Sequence, residues 1–191
     1  MTARSHQEEL PGHRRTVRPC PLPPGALLGR YAEPDGGAYT DAFVAEAPGA
    51  VSLPTFIQAF YTSRALGPEL LALRLLFGKA GSKACAERLA GGEADTFSAW
   101  RVEERTASQI LMREVIGGAT RSWLMVEPAG PTTRLYFGSA VLPVPTRQGP
   151  PRLSPLVRPL TPFHRLYSQR LLGSALTRLN AAAFRVCASQ V

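Results

Sequence analysis

Along the chain the hydrophobic and polar positions change rhythm several times. Residues 1–30 carry Pro11, Pro19, Pro21, Pro23 and Pro24 and show no apolar period, which predicts an extended or poorly ordered arm. After the turn-like Pro34-Asp35-Gly36-Gly37, the run Tyr39-Thr40-Asp41-Ala42-Phe43-Val44-Ala45 alternates large and small residues, as a half-buried strand does. Helical segments follow. Ser52 can cap a short helix through Tyr61, Gly67-Pro68 opens a second that ends at Gly78, and Ser82 opens a third that stops at Gly91-Gly92. The second helix holds Leu70, Leu71, Leu73, Leu75 and Leu76, apolar nearly all round, so it is expected to be largely buried.

Four strands are predicted next, at about 96–105, 108–116, 119–127 and 132–142. Thr106-Ala107, Gly117-Gly118 and Pro128-Ala129-Gly130-Pro131 join them. The paired glycines suit a two-residue turn with positive φ at both positions, so an antiparallel meander is expected. Residues 143–162 hold seven prolines and read as a long loop, of the kind that covers something. From Phe163 to about Ser189 a long helix is predicted, with Leu171, Leu172, Ala175, Leu176, Leu179, Ala182, Ala183 and Val186 on one face. Arg170, Ser174, Thr177, Arg178 and Arg185 lie opposite. Such a stripe needs a sheet to cover it. The expected fold class is α+β, with an antiparallel sheet of about five strands and the C-terminal helix packed across one of its faces. The expected domain organisation is a basic, proline-rich arm over 1–35 and one domain over 36–191.

Charge changes this picture only at the ends. The formal charge is +8, with 22 basic and 14 acidic side chains. Residues 147–191 hold seven arginines and no acid, while residues 31–146 have ten basic side chains against twelve acidic. Twenty of the basic residues are Arg and a single Asn is present, a pattern of GC-rich coding rather than of phosphate binding. No aromatics interleave with the N-terminal arginines, so nucleic acid is not expected as a partner. No apolar stretch approaches the length of a membrane span, and the polar start with Glu8 and Glu9 reads as no secretory signal. Cys20, Cys85 and Cys187 are far apart and without metal-ligand spacing, which is expected of reduced thiols in a cytoplasmic protein. No metal site and no cofactor are expected, and no P-loop or G-x-S-x-G pattern occurs.

Taken together, Phe97-Ser98-Ala99-Trp100-Arg101-Val102-Glu103-Glu104, Arg121-Ser122-Trp123-Leu124 and Pro162-Phe163-His164-Arg165-Leu166-Tyr167 resemble an uncharacterised bacterial domain family. It belongs to the SRPBCC (START, birch-pollen-allergen-like) superfamily. The resemblance spans about residues 36–180 and implies a helix-grip fold with an apolar cavity between sheet and helix. It also implies binding of a small apolar or amphipathic molecule. The same domain occurs fused to NAD(P)-binding Rossmann proteins. This chain has no glycine-rich dinucleotide fingerprint, so an NAD(P)-binding partner would be a separate protein.

Several residues could carry chemistry. Asp41 shares a strand face with Tyr39 and Phe43. If that face is inward, burial is expected to raise the carboxyl's pKa and suit it to acid or base work. Met112 and Glu114 share one face of their strand, and Arg121 and Trp123 share one of the next. Arg121 could therefore pair with Glu114 across the Gly117-Gly118 turn, as ligand anchor or structural ion pair. His164 and Tyr167 are neighbours at the start of the long helix, and a His there can shuttle a proton. Trp100, Trp123, Met112, Tyr136 and Phe137 could line a pocket or be plain core. Three functions stay open: a ligand-binding domain, a cyclase, dehydratase or isomerase using Asp41 or His164, and docking of an Arg-bearing helix face on an acidic partner or anionic surface.

Overall fold

The computed structural model describes residues 16–32, 37–78, 81–146, 149–155 and 157–188, with side chains of the last helix described as far as 182. Residues 1–15, part of the Pro34-Asp35-Gly36-Gly37 turn and the side chains of Ala183, Arg185, Val186 and Cys187 lie outside the described residues. The architecture is α+β. Among the described residues a seven-stranded antiparallel sheet has the order β1-β2-β7-β6-β5-β4-β3. Its strands are β1 (Arg18–Pro19), β2 (Tyr39–Pro48), β3 (Thr96–Phe97), β4 (Trp100–Arg105), β5 (Gln109–Glu114), β6 (Thr120–Ala129) and β7 (Thr132–Val141). Between β2 and β3 run α1 (Leu53–Tyr61), α2 (Gly67–Phe77) and α3 (Lys83–Gly91). After β7 comes α4 (Val157–Ala188).

The expected five strands become seven in two ways. Ser98, at φ 52°, and Ala99 break the run 96–105 into two strands, and Arg18–Pro19 adds an edge strand beside β2. Both additions are two residues long. The β5–β6 connection is not the expected two-residue turn. Residues 115–119 form it, Gly118 alone of the two glycines has positive φ, and the Glu114 carboxylate holds it together.

Alternation along the strands sorts the sheet into two faces. Phe43, Ala45, Leu124, Leu135 and Phe137 point toward the helices and pack with Phe56, Phe60, Leu89, Leu171, Leu172 and Leu176. Ser52 caps α1 by accepting from the Thr55 amide, and Ser82 caps α3 by accepting from Cys85. Val44, Leu111, Trp123, Tyr136 and Ala140 point the other way.

That second face is covered by the arm. The expectation of a poorly ordered segment does not hold for residues 16–32. Leu28, in the 3-10 turn Leu27–Tyr31, is fully buried against Trp123, Tyr136 and Ala140. Gln109 pins the turn, since its Oε1 accepts from the Leu27 amide at 2.9 Å and from Trp123 Nε1 at 2.8 Å. Its Nε2 donates to the Gly25 carbonyl at 3.0 Å. Gly138 is needed here: a Cβ on it would lie 2.8 Å from Leu28 Cδ2 and 2.9 Å from the Asp41 carbonyl.

Two other expectations are corrected. In α2 no residue is buried, and Leu71, Leu75, Leu76 and Phe77 are exposed. A helix apolar all round has no face that commits it to the core, and only Glu69, Leu70 and Leu73 sit half-buried. The proline-rich loop is also shorter than 143–162, because α4 begins at Val157. Pro159 lies in the first turn, where the missing N–H has no helical partner to lose. Pro162 leaves the Arg158 carbonyl without its helical donor, at an exposed position where water can take its place.

Candidate functional site

Along β2 the odd-numbered residues face the helices, so Tyr39, Asp41 and Phe43 share the inner face. The β2–β7 register sets Asp41 directly opposite Ser139. In its second turn α4 brings His164 over this pair. The result is a compact polar cluster at one end of an otherwise apolar interface. Ser139 Oγ donates to Asp41 Oδ1 at 2.7 Å and Tyr39 Oη donates to Asp41 Oδ2 at 3.0 Å. His164 Nε2 lies 2.7 Å from Ser139 Oγ and 3.6 Å from Asp41 Oδ2. Because the single proton of the serine hydroxyl goes to the carboxylate, Nε2 is the donor toward Ser139. The tautomer is thereby set, and Nδ1 is left as the acceptor edge of the ring.

Asp41 behaves opposite to expectation. Burial pushes its carboxyl up, as anticipated, but the nearby His164 ring and the hydrogen bonds from Ser139 and Tyr39 outweigh burial and hold it below the ordinary carboxylate range. It is the anion of the cluster, not a raised-pKa acid. The Tyr39 phenol moves the other way, pushed up to about 12 by burial and by the Asp41 charge.

Two hollows meet at His164, each of about 200 Å³. The first lies between sheet and α4 and is bordered by Phe60, Leu66, Trp100, Phe137 and Leu171, with Ser122, Ser139 and Ser168 as its small polar members. The second lies outside it, between Tyr39, Val141, Ser154, Val157 and Leu160. Tyr167 and Glu69 close one side of the first, with Tyr167 Oη donating to Glu69 Oε2 at 2.6 Å. Burial, with the Glu69 charge adding to it, drives that phenol far above its usual range.

The residues singled out by pattern divide accordingly. Asp41, His164 and Tyr39 are brought together, and Trp100 and Tyr167 border the first hollow. Phe43 and Met112 face inward but are packed into solid core, Met112 accepting a hydrogen bond from Tyr61 Oη. Trp123 and Tyr136 point to the other face and pack under the arm, so they line no part of the hollow. Tyr136 and Phe137 are consecutive in a strand and cannot both face inward. Arg121 does not pair with Glu114. It borders the hollow, yet its guanidinium reaches Glu103 at 2.6 Å and lies over the Tyr31 ring. Glu114 accepts instead from the amides of Gly117 and Gly118. Both were drawn away by partners that alternation does not reveal, a tight turn and the docked arm.

Ser139, Ser122, Ser168 and Glu69 were not anticipated. The signal for Ser139 was available: it interrupts the apolar inner series Leu135, Phe137 and Val141 of one strand, as Asp41 does in another. Only the strand pairing makes the two neighbours. Among the described residues no group of three or more His, Cys, Asp or Glu could hold a metal ion, and no helix is long and apolar enough to cross a membrane.

No family model matches the chain, and no curated protein matches it. Among solved structures, "Crystal structure of Ara h 8.0201" is similar with a TM-score of 0.32 and 9% identity, over 74% of this chain and 99% of that one. The likeness is too slight to carry a residue, a ligand or a family across.

Proposed function

We propose that this domain binds a small amphipathic molecule in the hollow between sheet and α4, with the ligand's polar group against Ser139 and His164. The observation that carries the reading is the apolar hollow ending in one convergent polar cluster. Its size narrows the class. A cavity of about 150 Å³ accepts benzene, so about 200 Å³ suits a substituted single ring or a short acyl chain rather than a sterol. A cytoplasmic setting is part of the proposal, supported by Cys20 and Cys85 being unpaired. Any NAD(P)-dependent chemistry would belong to a separate protein.

Trp100 borders the hollow and Trp123 is buried on the opposite face, which supplies a reporter and a control. Titration with 4-propylphenol and with hexanoate is expected to change the emission of Trp100 saturably, in the Trp123→Phe variant as in the parent. Ser122→Leu, which puts a branched side chain into the hollow, abolishes the change. Absence of any saturable response in the parent overturns the reading.

A second reading has an observation of its own. The Asp41–Ser139–His164 chain orients the imidazole and leaves Nδ1 without a protein partner among the described residues. Such a ring can take a proton beside a carbonyl, with Asp41 as a positioning residue, which is the chemistry of an isomerase or dehydratase. Deuterium exchange from solvent into bound cyclohexanone separates the readings. Exchange that His164→Ala removes supports catalysis, and binding without exchange leaves a binding domain.

A further inference from the structure

We propose that α2 and the first turns of α4 form one surface that docks on an anionic lipid bilayer, independently of what the hollow binds. Seven large apolar side chains, Leu71, Leu75, Leu76 and Phe77 on α2 and Leu160, Phe163 and Leu166 on α4, are each at least 50% exposed. The two elements are joined. The Phe163 ring stacks on Tyr167 with centroids 6.4 Å apart, and Tyr167 reaches across to Glu69 of α2. Leu66 and Glu69 at the start of α2 and His164 and Tyr167 of α4 border the first hollow together, so the two elements meet at its rim.

The occupant follows from charge and shape. The exposed charges on these segments are Arg74, Arg158, Arg165 and Arg170, and the one acid, Glu69, already accepts from Tyr167. Arginines beside large apolar side chains match a surface of anionic headgroups over hydrocarbon. A second copy docked through the same face would set these arginines against their own duplicates, which disfavours it. Leu75, Leu76 and Phe77 are consecutive, so they leave the helix about 100° apart. A protein groove would have to wrap most of the exposed side of α2 to cover all three, whereas fluid lipid moulds around side chains that leave at different angles.

The test is co-sedimentation of the full chain with phosphatidylcholine vesicles, with and without phosphatidylserine. Binding is expected only where phosphatidylserine is present. Leu75→Glu with Leu76→Glu weakens it at least about a hundredfold, from the apolar burial lost. Arg74→Glu and Arg165→Glu each weaken it about fivefold or more. No α2 side chain is buried, so the leucine variants are expected to melt like the parent; Phe163→Glu reads the same surface from α4 should they not. Failure to sediment with anionic vesicles overturns the proposal. So does binding that the leucine variants and Phe163→Glu leave unchanged. A lipid-free dimer that the leucine variants dissociate would instead assign the surface to a second copy.

Discussion

Leu28 and Leu75 are the same side chain in two short helical turns, yet Leu28 is fully buried and Leu75 is 74% exposed. Leu28 belongs to an arm studded with proline, and Leu75 to a helix with five leucines among its eleven residues. The difference lies in what each segment finds opposite it. The arm meets a sheet face of Val44, Leu111, Trp123 and Tyr136 that carries none of α1–α4, and Gln109 satisfies the Leu27 amide and the Gly25 carbonyl. The helix follows the turn Arg64–Leu66, beside a core already filled by α1, α3 and α4, and offers no single stripe to bury. Proline content costs the arm little, because an extended chain laid on a sheet needs few of its own hydrogen bonds. Burial follows from a vacant partner surface more than from composition.

The largest expected effect comes from making one substitution in both places. Leu28→Ala is expected to cost about 2–5 kcal/mol, because it opens a cavity between the arm and Trp123. Leu75→Ala is expected to change stability by no more than about 0.5 kcal/mol. Urea unfolding midpoints of the two variants, measured with the same slope, check this directly. Equal losses would mean that α2 is packed in solution and would remove the contrast.

Sequence patterning made much of the fold legible where the period was clean and the punctuation local. β2, the β4–β7 meander, the Ser52 and Ser82 caps and the α4 stripe from Leu171 to Leu179 are readable that way, because alternation and capping residues act within a few residues, whereas Ala182 of the expected stripe is exposed. What failed depended on distant surfaces. Nothing within residues 16–32 announces that a bare sheet face awaits Leu28. Nothing within 67–77 says that the core is already full. The site divides similarly. Asp41, Tyr39 and His164 stand out by pattern, but Ser139 joins them only through the β2–β7 register. The direction of the Asp41 shift depends on donors from three separate segments.

Gln109 tests whether the arm is held by a specific bridge or by apolar contact alone. Gln109→Ala leaves the Trp123 indole N–H and the Leu27 amide without acceptors in a buried place, a cost of about 2 kcal/mol. The loss should appear together with a change in the near-ultraviolet circular dichroism of Trp123. A stability loss without that spectral change would point to β5 itself rather than the arm.

The inner face offers a charge-dependent counterpart, since its cluster relies on an anion and the arm's bridge does not. Asp41 has its folded-state pKa depressed, so its contribution is present above the unfolded value of about 3.9 and is lost as pH falls through the folded value. At pH 7 Asp41→Asn is expected to cost about 1–2 kcal/mol, because an amide offers one acceptor oxygen where the carboxylate offers one to Ser139 and the other to Tyr39. The gap between parent and variant narrows as pH falls below about 4. Unfolding midpoints at neutral and acid pH measure it, and a gap that stays constant would show that the carboxylate charge plays no part.

The smallest effect distinguishes the two ion pairs that tie the arm's neighbourhood to β4. Arg121 and Glu103 are mostly shielded, at 12% and 20% side-chain exposure, and the Tyr31 hydroxyl bonds to both. Arg30 and Glu104 are 44% and 39% exposed and belong to the same arm turn. Water screens the outer pair, and ordering two long side chains offsets most of the remaining attraction, so Arg30→Ala is expected to cost between about 0 and 1 kcal/mol. The cost should vanish in high salt. A larger, salt-insensitive loss would mean that the Arg30 stem is packed rather than paired, and that charge contributes to seating the arm only through Arg121.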